Sequence, residues 1–173
     1  MTQADFESIL RAHQAMVYSI AYHFFRNGAV AEEIAQDVFL QLYQTRQTLA
    51  SPAHVVAWLR RTTTHRCIDA ARHRSRRKEV PLDELPDVPD TRSERDLLLS
   101  ETLQKMVASL PAKPRAVVIL RYSEDMDVED ISRVLEMPVR TVWTHLRRAV
   151  ALMRDKASRF VPVSEARRHA SIR

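Results

Sequence analysis

The sequence predicts an all-α protein: two small helical domains joined by an acidic flexible linker, the C-terminal one a helix-turn-helix. Three observations predict it. The chain of 173 residues has one glycine, Gly28, whereas tight hairpins and phosphate-cradling loops both draw on glycine. Apolar residues recur at helical spacing through most of its length. Residues 79–94, "EVPLDELPDVPDTRSE", carry three prolines, many acids and no usable periodicity, the marks of a linker. Domain one therefore spans 1–78, the linker 79–95, domain two 96–160 and a terminal tail 161–173.

Each element follows from its own pattern. Phe6, Ile9, Leu10, Met16, Val17, Ile20, Ala21 and Phe24 predict a helix over 5–25, with Gly28 marking its end. A second helix runs from Val30 to Tyr43 on the stripe Ile34, Ala35, Val38 and Leu42. "TLASPAH", 48–54, is turn-like, and a third helix from Val55 towards Arg74 becomes steadily more basic. Thr91 or Ser93 is the candidate cap of the next helix, with stripe Leu99, Leu103, Met106, Val107 and Leu110. Pro114 suits the first turn of another, through Val117, Val118 and Leu120.

Charge is unevenly spread. Residues 1–59 balance to −2, 60–78 to +7, 79–101 to −6, 102–137 to −1 and 138–173 to +7. Two basic blocks flanking an acidic one predict two separate contacts with a polyanion. Chemistry of the chain's own finds little support. One cysteine, Cys67, excludes an internal disulfide and any Cys-pair zinc site, and the seven histidines show no His-x-x-x-His pair. No cofactor, no metal and no catalysis are expected. No run reaches the roughly 18 apolar residues of a membrane span, and the N-terminus does not read as a signal peptide. A cytoplasmic protein is expected.

The last strong pattern is "DVEDISRVLEMPVRTVWTHLRRAVALMRDK", beginning at Asp127. Asp127 is a good N-cap, and Val128, Ile131, Val134 and Leu135 give a short helix. "EMP" forces a turn, and Pro138 starts a longer helix over 138–156 that buries Val142, Leu146, Ala149, Val150 and Met153. The opposite face offers Arg140, Thr141, Thr144, Arg147 and Arg148, with Trp143 at the border. This is a helix-turn-helix whose second helix suits the DNA major groove. A helical hairpin with a solvated basic face is the plainer alternative.

"LPAKPRAVVILRY" followed by "DISRVLEMPVRTVWTHLRRAVALMR" resembles the C-terminal domain of bacterial sigma factors. Leu110, Pro111, Arg115, Arg121, Tyr122, Thr141, Val142, Leu146, Arg148 and Ala149 carry the likeness. "AEEIAQDVFLQLY" and "AWLRRTTTHRCIDAARHRSRR" are similar to the polymerase-binding and promoter-melting segments of the same family. Two domains without further regions point to the extracytoplasmic function (ECF) group of the sigma-70 family. In places where the family often has glycine this chain has Glu136 and Arg140, His65 stands where asparagine is frequent, and Trp143 replaces a basic residue.

The resemblance implies the partners: core RNA polymerase through its β′ clamp helices and β flap, promoter DNA, and an anti-sigma factor. It implies that Glu33, Gln36, Asp37, Phe39 and Leu40 bind polymerase, although the acids also read as a solvated face and Phe39 as core. The −35 element falls to Arg140, Thr141, Trp143, Thr144, Arg147 and Arg148. The −10 strand falls to Ser51, His54, Trp58, Arg60, Arg61, His65, Arg72 and Arg74, with Arg66 adding to the basic track and Pro52 and Ala53 in the base-holding loop. Trp58, a tryptophan followed by leucine on such a helix, reads rather as core, and His65 and Asp69 as local hydrogen-bonding groups. The acidic linker is either a spacer or a nucleic-acid mimic. A stand-alone helix-turn-helix regulator and an adaptor are the competing readings.

Overall fold

A computed structural model describes residues 3–45, 51–77 and 94–160. They form seven α-helices, and there is no strand among the described residues. The linker through residue 93, with its candidate caps Thr91 and Ser93, lies outside them, as do residues 46–50 and the tail from 161.

The first three helices are α1 (Gln3–Phe25), α2 (Gly28–Thr45) and α3 (Pro52–Arg77). Their junctions rest on local chemistry. Arg26 takes a left-handed φ of 55°, and its N–H donates to the Tyr22 carbonyl at 2.7 Å, which ends α1. Asn27 then caps α2: its Oδ1 accepts from the Val30 N–H at 2.9 Å, and its carbonyl accepts from Ala31. This corrects the expectation that Gly28 stops the first helix. Gly28 is the first residue of the second, and arginine makes the turn.

Ser51 opens α3 in a similar way, its Oγ accepting from the His54 N–H at 3.4 Å and its carbonyl from Val55. Pro52 sits at the first helical position, where its missing N–H costs nothing. The helix therefore begins inside the segment expected to be a turn. It runs 26 residues, about 39 Å. Its middle lies in the core, where the hydroxyls of buried Thr63 and Thr64 donate back to the Leu59 and Arg60 carbonyls, each at 2.7 Å. That satisfies two polar groups which burial would otherwise penalise.

The second group is α4 (Glu94–Ala108), α5 (Ala112–Tyr122), α6 (Val128–Val134) and α7 (Val139–Phe160). Pro114 lies in the first turn of α5, whose N-cap is Pro111. Asp127 caps α6 as expected, its side chain accepting from the Asp130 N–H at 2.7 Å. The helix-turn-helix turn is closed twice. Ser132 Oγ donates to the Met137 carbonyl at 2.6 Å, and the Met137 N–H donates to the Ser132 carbonyl. Glu136, within that turn, takes a left-handed φ of 50°.

The two groups are packed together rather than held apart. One apolar cluster contains Phe24, Leu59 and Cys67 from the first and Val117, Leu120 and Ile131 from the second. α3 and α1 both pack against α5, and α3 also meets α6. The side chains sealed in this cluster, such as Phe24, Leu42, Leu59 and Leu120, each contribute about 1.5–3 kcal/mol. Two residues expected in the core are not there: Leu103 and Val150 are among the exposed apolar side chains.

Candidate nucleic-acid interface

The candidate interface starts on α7. Val142, Leu146 and Ala149 are buried, so the opposite side of the helix faces outward. That side divides into two arcs at helical spacing. Arg140, Thr144 and Arg148 follow one another at four-residue steps and are all exposed, with Thr141 beside them half-buried. Trp143, Arg147, Val150 and Arg154 form the neighbouring arc and share a shallow cleft with Tyr122, which is 70% exposed. The first arc is cationic and polar. The second is apolar with a basic rim. Arg147 stands between the two, while Trp143 sits among apolar groups. Thr144 Oγ1 donates to the Arg140 carbonyl at 2.9 Å, so its proton is used within the helix and its oxygen lone pairs face out.

Domain one supplies the second basic surface. A cleft of about 780 Å³ runs between α2 and α3, lined by Glu33, Asp37 and Gln41 on one side and by Arg61, His65, Arg66, Asp69 and Arg74 on the other. Its charges are partly paired across the cleft. Arg66 reaches Gln41 Oε1 at 3.2 Å and Asp37 at 4.0 Å. Arg72 reaches Asp69 at 3.4 Å, so Asp69 pairs with an arginine. Arg74 lies over the Phe25 ring at 5.2 Å, which fixes its position in the track.

The remaining −10 candidates divide by burial. His54 and Arg61 are exposed, whereas Ser51, Arg60 and His65 are half-buried. Trp58 is half-buried and packs against the apolar cluster, so its indole serves the core at least in part. Ser51 and His54 sit together at the start of α3 through the capping bond already described.

On α2, Glu33, Gln36 and Asp37 are exposed, and Leu40 is 57% exposed. Phe39 is the correction: it is 8% exposed and belongs to the core cluster, so its ring is not available to a partner. The buried arc of this helix includes Val30, Ala31, Ile34, Val38, Phe39 and Leu42, wide enough to take in a residue beside the expected stripe.

The titratable groups are tuned mainly by burial. His145, on the inner edge of α7, has its basicity lowered by burial, with Lys113 and Arg148 adding repulsion. Burial pushes the Cys67 thiol up, so it stays protonated at neutral pH and is a poor nucleophile. Arg115 is lowered to about 10, again by burial. Among the described residues no group of His, Cys, Asp and Glu is arranged to hold a metal.

Sequence reasoning did not find three arrangements. The Trp143–Tyr122–Val150 cleft needed the angle of α7 against α5. The pairing of Arg66 with α2 needed the spacing of two helices. Contacts between the halves, described below, needed their relative placement, and the only signal for them was the unusual Glu136.

Comparison with known proteins decides the family. Residues 9–77 match the family described as Sigma-70 region 2, and residues 100–153 match that described as Sigma-70, region 4. The chain belongs to the sigma-70 family. Its curated relatives place it in the ECF group of that family. It is 31% identical over 157 residues to ECF RNA polymerase sigma factor SigE of Mycolicibacterium smegmatis, covering 87% of this chain and 61% of that protein's length. It is 29% identical over 171 residues to ECF RNA polymerase sigma factor SigW of Bacillus subtilis, covering 89% of each. Two solved structures share the fold. Sigma factor RpoE of Bartonella quintana, solved with the anti-sigma factor NepR, superposes with a TM-score of 0.70 at 18% identity, covering 89% of this chain and 97% of that one. CnrH, solved with the cytosolic domain of CnrY, gives 0.67 at 18% identity and covers 92% of each chain. In sigma-70 terms, α1–α3 carry region 2 and α4–α7 carry region 4.

Proposed function

We propose that this sigma-70 family protein is an alternative sigma factor, which binds core RNA polymerase and directs it to promoters. The observation that carries this is the pairing of an outward cationic arc on the second helix of a helix-turn-helix with a region 2 domain in the same chain. In this reading Arg140, Thr141, Thr144, Arg147 and Arg148 contact the −35 element. Arginine suits guanine edges and phosphates, and threonine suits either. The basic track of Arg60, Arg61, Arg66, Arg72 and Arg74, with His54 and Ser51 at its head, holds the opened −10 strand. Exposed Glu33, Gln36, Asp37 and Leu40 face the β′ clamp helices, carboxylates meeting basic groups and Leu40 supplying an apolar anchor. The apolar cleft at Tyr122 and Trp143 is of a kind to receive the β flap.

Polymerase supplies the chemistry, and this chain supplies recognition and no catalytic step. Its place is the cytoplasm with polymerase; no described helix is long and apolar enough to cross a membrane. The solved complex of sigma factor RpoE with the anti-sigma factor NepR supports an anti-sigma factor as a further partner. A stand-alone regulator is not favoured, because the region 2 half has no role in it.

Transcription of a pooled promoter library by core polymerase, with and without the protein, tests the proposal. Protein-dependent transcripts sharing a two-block motif are expected. No new transcripts, together with tight duplex binding by the protein alone, would refute it.

A further inference from the structure

The contact between the two halves uses arginines that domain one needs elsewhere. Arg61 Nη2 lies 2.6 Å from Glu136 Oε1, with both side chains about half exposed. One residue before it, Arg60 is half-buried, and its Nε is buried without a hydrogen-bond partner among the described residues. Glu124, at the end of α5, is close enough for its charge to interact with that of Arg60. Both carboxylates belong to domain two and both arginines to α3.

Two further features show that this contact is built rather than incidental. Glu136 holds a left-handed backbone at φ 50°, which costs a side-chain-bearing residue about 1 kcal/mol relative to glycine. Glycine would meet the backbone demand at that turn but would have nothing to present to Arg61. Nearby, Arg115 fastens the halves. Its Nη1 donates to the Phe24 carbonyl at 3.0 Å, its Nε and Nη2 donate to the Leu110 carbonyl at 3.1 and 2.7 Å, and its guanidinium lies 4.9 Å from the Phe24 ring centroid. The end of α1 is thereby tied to the α4–α5 junction, which sets the helix-turn-helix against α3.

We propose that the carboxylate of Glu136 is an internal competitor for nucleic acid, holding Arg61 in the free chain until a phosphate strand displaces it. The inference rests on the role proposed above for the basic track. The exchange is feasible because the Arg61–Glu136 pair is solvent-accessible and an exposed pair is weak, whereas a phosphate backbone offers the same arginine several anions and releases counterions. The free protein is then biased against stray single strands, and the bias is set by a side chain that does not itself touch DNA.

The test uses the full chain and a fluorescein-labelled oligothymidine at low salt. Glu136→Gln removes the charge at constant size, and Glu129→Gln, at an exposed residue of α6 that is not the partner of Arg61, makes the same change in net charge. Glu136→Gln is expected to tighten binding about two- to five-fold, the equivalent of one exposed ion pair, with Glu129→Gln unchanged. In an Arg61→Ala background the gain should vanish. An equal shift in both glutamine variants, or none in Glu136→Gln, overturns the proposal. Should Glu136→Gln fold poorly by circular dichroism, Glu136→Gly decides by the same criterion, since the turn favours glycine. Transcription with core polymerase separates the two readings. Persisting protein-dependent transcription alongside unshifted strand binding sinks the competitor alone. Absent transcription from the wild type sinks the sigma-factor reading, and with it the role of Arg61 on which the competitor rests.

Discussion

Phe39 and Leu40 are adjacent on α2 and have opposite surroundings, one sealed in the core and the other in solvent. Phe39→Ala is therefore expected to lower the unfolding free energy by about 3–5 kcal/mol in a urea titration. Leu40→Ala should stay within about 0.5 kcal/mol in the same titration, yet weaken binding to core polymerase by at least about 1 kcal/mol in a competition assay. Equal stability losses would mean that the burial of this pair is misassigned. Ile34, Val38 and Leu42 were legible as core from spacing alone. Phe39 was left open between core and partner face, because it borders both and only the packing of α1 and α3 decides where the boundary falls. The same limit applies at Arg26, which makes a left-handed turn that composition assigns to the nearby glycine. A side chain over the Tyr22 ring at 5.3 Å helps an arginine to hold that place.

At the scale of elements, α7 presents two surfaces of different character side by side. Arg148 belongs to the polar arc, and Trp143 to the cleft with Tyr122. Arg148→Ala is expected to weaken promoter binding by the holoenzyme by about 1–3 kcal/mol, the size of a lost bidentate contact. Trp143→Ala should cost less in the same footprinting titration. A larger loss at Trp143 would return it to the −35 surface where the sequence put it. The helix-turn-helix was legible because Asp127, the turn at "EMP" and the stripe through Val142, Leu146 and Ala149 are local signals. The exposure of Val150 was not, because it depends on how closely α4 and α5 approach α7: clefts beside Tyr122 and Leu103 leave it 42% exposed.

Over the whole molecule, two histidines couple stability to acidity. Burial and Arg26 hold His23 below its ordinary 6.5, and burial with Lys113 and Arg148 does the same to His145. The unfolded chain therefore binds protons that the fold resists. Their contribution is complete above about pH 6.5 and is lost as pH falls below it. The melting temperature should drop between about pH 7.5 and 5.5, and less steeply in His23→Gln. Glu124, raised by burial, acts in the opposite sense at more acidic pH. An identical slope in wild type and variant would exclude His23. The order of domains and the two basic blocks were legible in the sequence, since charge and periodicity are local. The closed packing of the halves was not. It depends on Arg115 meeting a carbonyl far along the chain and on α5 fitting between α1 and α3, neither of which leaves a periodic trace.

Arg115 and the Phe24 carbonyl it grips are 91 residues apart. A ribosome adding about 5–20 residues per second needs roughly 5–18 s to cover that interval. Within it α1 waits for its partner, and α3 is completed before the α5 and α6 that will cover Phe24, Leu59 and Cys67 are made. The nascent protein thus passes through a period with its apolar seam open, when a chaperone or another binding protein can reach a surface that the finished chain closes.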